Sequence, residues 1–382
     1  MKEETPALLA ARRRRTHGIA TDFDGTRLAL ARRLARLPRT HLAREVGVTP
    51  TAITQFERGG ARPTAPLLAS LALRLGVPED FFRHGRPVPI LPGSAAHFRS
   101  LRATPALSRD QALAFVELAI DVVQALEQYV DLPAVDLPDL ETSDSPTRAG
   151  IAAAAAQVRV KLGVPDGPVA HVVRLLEAYG IIVLRLPTEI AGWNLDRDVD
   201  AFSTSATPRP MVLLSPVKDD KARSRFDAAH ELGHLVLHHD AEPGNKIVEG
   251  QAQSFAAEFL MPAEQIVDDL PRRVDWERLH AAKRRWGTSL KALVYRARVL
   301  GVMSETSYRR ANVALASQGN PEAGPLGPPE SPNLLGAAAA LLDQHGTTLE
   351  HLADATRLPY TQVAAVVAAG SDPRPRLQPP QA

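Results

Sequence analysis

The sequence predicts a mainly α-helical protein of more than one domain. Two observations carry this. Apolar residues recur at helical spacing in short segments punctuated by Gly and Pro over residues 21–85. A second block of helical periodicity runs from about Pro146 to Asn312, set off by proline-marked breaks at Pro87, Pro89 and Pro92 and at Pro133 and Pro138. At 382 residues there is room for two or three domains with buried cores.

The bulk chemistry narrows the class. Hydrophobic residues make up 45% and charged residues 23%, ordinary values for a soluble globular protein. No apolar run approaches the ~20 residues needed to span a bilayer, so no membrane partner is expected. Arg12 to Arg15 are not followed by an apolar stretch, which excludes a secretory signal there. The chain has no cysteine. Disulfides, thiol nucleophiles and Cys-based zinc sites are therefore excluded, and a cytoplasmic location is expected. Any metal must be held by His and carboxylates. The net charge is only +2, but the first 60 residues are rich in Arg, which points to an anionic partner such as nucleic acid.

In order along the chain, residues 1–20 read as a basic arm and 21–85 as a run of short amphipathic helices. Leu28, Ala31 and Leu34 give Thr26 to Leu37 a helical face, with Arg27, Arg32, Arg33 and Arg36 expected on the outside. Pro38 ends it. A helix from Arg39 to about Val46 stops at Gly47, which takes a positive φ freely. Thr49-Pro50 is an N-cap and N1 pair that starts a helix to Arg58. A fourth helix, Ala65 to Leu75, ends at Gly76. Residues 86–146 read as a linker with one long helix, from about Ser108 to Tyr129. Residues 147–312 form one compositional unit, 313–332 a Pro/Gly linker, 333–368 a small helical module and 369–382 a disordered tail. The module contains Thr348 to Ala353 and Leu358 to Thr361, a degenerate helix-turn-helix pattern for which a simple docking role is the preferred reading.

Two short helices around a Gly-containing turn are a helix-turn-helix. Leu42-Ala43, Gly47-Val48-Thr49, Ile53 and Phe56-Glu57-Arg58-Gly59 resemble the lambda-repressor-like, XRE family. The resemblance implies that the second helix reads the major groove of duplex DNA, with Thr51, Ala52, Thr54 and Gln55 facing bases; Arg39 stands where the family often has a Gln on phosphate, a departure that favours that contact electrostatically. Thr49 and Arg58, which flank that helix, complete the expected DNA-contacting set.

Residues 224–239 read SRFDAAHELGHLVLHH. His230 and His234 at i, i+4 project from one helix face, a spacing that lets two imidazoles share one Zn²⁺. Glu231 is placed as a general base. Asp240 and Leu237 exclude a third His ligand at the longer HExxHxxGxxH spacing. The third ligand is sought on a helix from Glu249 to Leu260, where Glu249, Ala252 and Ala256 share a face; Glu258 is the alternative. His238, two turns along from His230, is within reach of the metal, but a His there more often faces solvent at the helix end, and that is the preferred expectation.

This stretch resembles the ImmA/IrrE family of metallopeptidases. The likeness runs through Arg225-Phe226, HELGHLVLH, Glu249, Ala252, Phe255-Ala256-Ala257 and Leu260-Met261-Pro262, and on to Trp286 and Arg296-Ala297. It implies His230, His234 and Glu249 as ligands, Glu231 as catalytic residue, and strands at Ile181–Leu186, Ala201–Ser203 and Met211–Leu214. Gln253 stands where the family has Asn. The complete expectation is mainly α with a small β-sheet: an N-terminal helix-turn-helix domain of four or five helices plus an α+β zincin-like peptidase domain. The function implied is a DNA-binding transcriptional regulator with a zinc-dependent endopeptidase, acting on a protein substrate such as a repressor, with a homodimer left open. The alternative is a non-proteolytic repressor whose zinc-site domain senses a ligand or metal.

Overall fold

The computed structural model describes residues 21–83, 91, 97–98, 105–138, 140, 146–190, 192–196, 199–215, 220–238, 245–319 and 322–373. The basic arm at 1–20 and the tail from 374 lie outside them. Helix α1 is Gly25–Leu34, started by Asp24, whose carboxylate accepts from the Thr26 N–H at 2.9 Å. It is shorter than its apolar spacing suggests because Arg36 turns left-handed (φ 54°) ahead of Pro38. Then follow α2 (Arg39–Val46), α3 (Pro50–Glu57) and α4 (Ala65–Leu75), with a 3₁₀ turn at Glu79–Phe82. Gly47 leaves α2 at φ 73°, and the Thr49 hydroxyl caps α3 by accepting from Ala52 N–H at 3.1 Å. The α2–α3 turn therefore has both of its expected stops.

Helix α5 (Ala106–Leu126) lies in a segment that reads as a connector but is buried on nearly every face. A helix apolar all round belongs in a core, and α5 packs against α1 and against the C-terminal helices. Its few polar groups are matched. Gln111 Nε2 donates to the Leu34 carbonyl at 2.7 Å, Glu117 pairs with Arg33, and Asp121 pairs with Arg27 at 3.2 Å. This corrects the expectation of an outer face for Arg27, Arg32 and Arg33, whereas Arg36 is exposed as expected. Arg27 is 0% and Arg32 6% exposed. Burial pulls the Arg27 guanidinium down from its usual range, and the adjacent Asp121 opposes that. Periodicity located the apolar stripe of α1 but not the acidic helix covering the rest.

The second domain opens with α6 (Arg148–Lys161) and α7 (Val172–Ala178). Strands β1 (His97–Phe98), β2 (Ile182–Arg185), β5 (Phe202–Thr204) and β6 (Met211–Leu214) form one sheet in the order β1-β5-β6-β2. β2 runs parallel to β6, with Ile182 opposite Met211; β5 is antiparallel to both its neighbours. β3 (Glu189–Ile190) and β4 (Trp193–Asn194) make a separate hairpin. β1 and this hairpin have no counterpart in the sequence expectation, because two-residue strands leave no periodic signal. Helices α8 (Lys221–Leu237) and α9 (Lys246–Leu260) pack on each other, and α8 also lies against β5 and β6. The short α10 (Ala263–Ile266) leads to α11 (Trp276–Trp286), α12 (Leu290–Val299) and α13 (Glu305–Gln318), the last running beyond the residue-312 boundary expected above.

Helices α14 (Leu334–Gln344), α15 (Leu349–Thr356) and α16 (Tyr360–Ala369) close the chain against α5. They are docked by two exchanged carboxylates. Glu330, just before α14, accepts from Val172 and Val173 N–H at the start of α7 (2.7 and 3.1 Å), and its other oxygen pairs with Arg225 of α8. Glu177, near the end of α7, accepts from Asn333 and Leu334 N–H at the start of α14 (2.9 and 2.8 Å). Each helix N-terminus thus has its orphan donors met by the other partner. Burial pushes the Glu177 carboxyl up to about 7 against those same hydrogen bonds.

The Arg27–Asp121 pair generates the first prediction. Asp121→Ala leaves a guanidinium buried without its ion-pair partner, a loss of about 3–5 kcal/mol. Urea denaturation should show it. The double replacement Arg27→Met with Asp121→Leu should lose much less, and equal losses would refute the assignment.

Candidate metal centre and nucleic-acid interface

Helix α8 is buried from Ala228 through Leu237, so its polar residues in that span must find partners inside the protein. His230 and His234 are each 1% exposed and Glu231 0%. The helix spacing sets the two imidazoles edge to face, with Nε2 atoms 3.1 Å apart. Glu249 comes from the first turn of α9. It reaches them because α8 and α9 approach unusually closely: a Cβ on Gly233 would stand 3.0 Å from Phe255 Cδ1 and 3.3 Å from Ala252 Cα. Ala252 and Ala256 are fully buried at that crossing. Glu249 Oε2 lies 3.3 Å from His230 Nε2, and Oε1 lies 3.4 Å from His234 Nε2. Donor atoms of the three side chains all fall within 4.8 Å of one another, which is compact enough for one ion.

A chain of hydrogen bonds behind His234 tests whether these groups suit a metal. His238 Nε2 lies 2.9 Å from Gln251 Oε1, and His238 Nδ1 lies 3.2 Å from His234 Nδ1. An amide oxygen only accepts, so His238 carries its proton on Nε2 and, as a neutral ring, accepts at Nδ1. His234 then donates from Nδ1 and turns an Nε2 lone pair toward His230 and Glu249. Lone pairs converging on a carboxylate call for a cation between them. Burial opposes ionisation of Glu249, yet hydrogen bonds and positive charge from His230 and His234 outweigh it and hold the carboxyl at about 2. Protons on the imidazoles supply that charge, and a bound cation would compete with them.

Glu231 points to a different partner. Its Oε2 accepts from the Ser203 hydroxyl of β5 at 2.7 Å. The carboxylate is thereby oriented from the sheet. Ser203, His238 and Gln251 are the residues that sequence reasoning missed. His238 was expected to face solvent; it is 5% exposed. Its position four residues after His234 was the available signal. Ser203 and Gln251 had none, since their contacts form only on folding. Glu258, the alternative third ligand, is not brought to the imidazoles. It lies near the far end of α9, held by both Nη atoms of Arg296. Nine residues of helix separate the two glutamates in sequence, and only Glu249 is at the end where α8 presents His230.

On the N-terminal domain, Arg39, Thr49, Thr51, Gln55 and Arg58 are exposed along α3 and its flanks, while Ala52 and Thr54 are half-buried. The structure uses two of these hydroxyls internally. Thr49 accepts from Ala52, and Thr54 donates to the Pro50 carbonyl at 3.1 Å. Arg39 Nε pairs with Glu57 at 2.6 Å, and Glu57 also binds Arg32. Thr51, Gln55 and Arg58 have no such internal use of their polar ends among the described hydrogen bonds.

The fold and these two sites define a helix-turn-helix DNA-binding domain joined to a metallopeptidase-like domain. Comparison with known families agrees. Residues 176–298 match the family model described as the IrrE N-terminal-like domain, a peptidase family, and residues 28–82 match the helix-turn-helix model. The chain thus couples an XRE-type helix-turn-helix to an ImmA/IrrE-like domain, a family that implies a metal ion. No curated protein matches the chain. Among the described residues no helix is long and apolar enough to cross a membrane.

The hydrogen-bond chain yields the second prediction. His238→Ala should weaken Zn²⁺ binding by about 10–100-fold, as removal of an orienting partner does, with helical circular dichroism retained. Glu249→Ala should weaken it further, and Glu258→Ala should not change it. Chelator competition measures all three. Zinc affinity unaltered in His238→Ala would defeat the relay.

Proposed function

We propose that this chain is a cytoplasmic DNA-binding transcription regulator whose second domain is a zinc-dependent endopeptidase, with a protein substrate such as a repressor. The observation that carries the reading is the convergence of His230, His234 and Glu249 beside a separately oriented Glu231. Two nitrogens and one oxygen, with no fourth protein ligand in the cluster among the described residues, are the donor set of a catalytic zinc rather than a closed structural one. Zinc held there supplies Lewis acidity toward water and a peptide carbonyl. The chain's own share is geometric and acid–base. His238 and Gln251 fix the His234 tautomer, and Ser203 holds Glu231. The Glu231 carboxylate takes a proton from water during attack on the substrate.

The same burial favours a second reading. With His230 and His234 at 1% exposure, the domain could instead be a metal or ligand sensor, and the chain a repressor that cuts nothing. Glu231→Gln separates the two readings. It removes the base and leaves the metal donors. A peptidase variant should hold zinc at parental level, bind DNA normally and fail to cut its target. If the Glu231→Gln protein supports the full regulatory response with zinc retained, proteolysis is abandoned and the sensor stands.

The DNA-binding assignment predicts a different split. Gln55→Ala should narrow the gap between operator and random DNA by about 1–3 kcal/mol. Arg39→Ala should weaken both equally, because a phosphate contact holds no base information. Binding titrations at two salt concentrations read both effects. Loss of discrimination in Arg39→Ala with none in Gln55→Ala would reverse the roles.

A further inference from the structure

β5 is the strand that touches the candidate base: Ser203 donates to Glu231. It has two edges. β6 takes one, with Phe202 opposite Leu213 and Thr204 opposite Met211. The other is taken by β1, antiparallel, with His97 opposite Ser203 and Phe98 opposite Phe202. β1 is remote in sequence from the rest of the sheet. It lies between the helix-turn-helix and α5, whereas β2, β5 and β6 belong to the second domain.

An extended polypeptide is commonly recognised by adding a strand to an open sheet edge, where main-chain hydrogen bonds supply affinity without demanding a particular sequence. A peptide offered to Glu231 in that form has only the outer side of β5 available, since β6 occupies the inner side. Its place is the one His97–Phe98 holds. We infer that the outer edge of β5 is the peptide-accepting edge of the metal centre and that β1 is its resident occupant, so that the chain masks its own site until β1 leaves. Among the described residues two pairs join β1 to β5, a short cover of the kind that blunts an edge. The occupant is part of the connection to the DNA-binding domain, so events there have a covalent route to the metal centre. The functional weight of this inference rests on the peptidase reading; the occupancy itself does not.

The test uses the full-length, zinc-loaded chain carrying Glu231→Gln, so that nothing is cut. His97→Pro with Phe98→Pro removes both backbone donors of β1. A fluorescent peptide of residues 93–102 should bind this opened protein at least about tenfold more tightly than the closed parent, since a competing internal occupant lowers apparent affinity by the open fraction. The same peptide with proline at both positions should not bind. Should the proline chain fail to fold, His97→Gly with Phe98→Gly weakens the strand while keeping its N–H groups, and the same gain is expected at smaller size. Equal affinity for opened and closed proteins, with zinc and circular dichroism unchanged, overturns the inference. Restoring Glu231 in the opened chain then separates it from the peptidase reading. Peptide binding without cleavage there keeps the occupied edge and removes the peptidase.

Discussion

Gly233 sets how near α8 and α9 can come, and the metal centre depends on that distance. The first helix brings two imidazoles and a carboxylate into a region that excludes water. The second brings the carboxylate that completes the cluster. A side chain at position 233 would strike Phe255 and the backbone of Ala252, and the first turn of α9 would swing away from His230 and His234. Close helix approach is often explained as packing for its own sake. Here it is also the reason the buried polar groups of α8 have partners at all, and buried polar groups without partners are costly.

The site is then tuned from behind. Gln251 sits two residues after Glu249 on the same helix, yet acts on the opposite side of the cluster through His238. One helix therefore supplies both a candidate ligand and the terminus of the hydrogen-bond chain that orients another. Ser203 does for Glu231 what His238 does for His234, but from the sheet. Two of the groups nearest the chemistry, His234 and Glu231, are thus each held by a residue from another turn or strand. Such support favours one geometry over the alternatives the side chains could adopt in isolation.

The rest of the molecule is tied together by buried charge. Arg27 and Arg33 of α1 meet Asp121 and Glu117 of α5, while Glu330 and Glu177 are exchanged between α7 and α14. These contacts join the DNA-binding helices, the C-terminal module and the metal-site domain through shared neighbours. The cost is a smaller basic surface than the Arg count suggests.

The sequence by itself determined the helix-turn-helix and the His230/His234 pair, because both are local. A left-handed Gly47 before a Thr49 cap, and two histidines one turn apart, are settled within a few residues of chain. Glu249 was legible more weakly, through the small residues sharing its face. Only the tertiary structure shows that Glu249 stands beside the imidazoles while Glu258 pairs with Arg296, because that depends on which end of α9 meets this part of α8. It also decided that Arg27 is buried, that His238 faces inward, that Ser203 reaches Glu231 and that His97–Phe98 pairs with β5. Each of these joins residues far apart in the chain or depends on what covers a face, and neither periodicity nor spacing encodes a neighbour that only folding supplies.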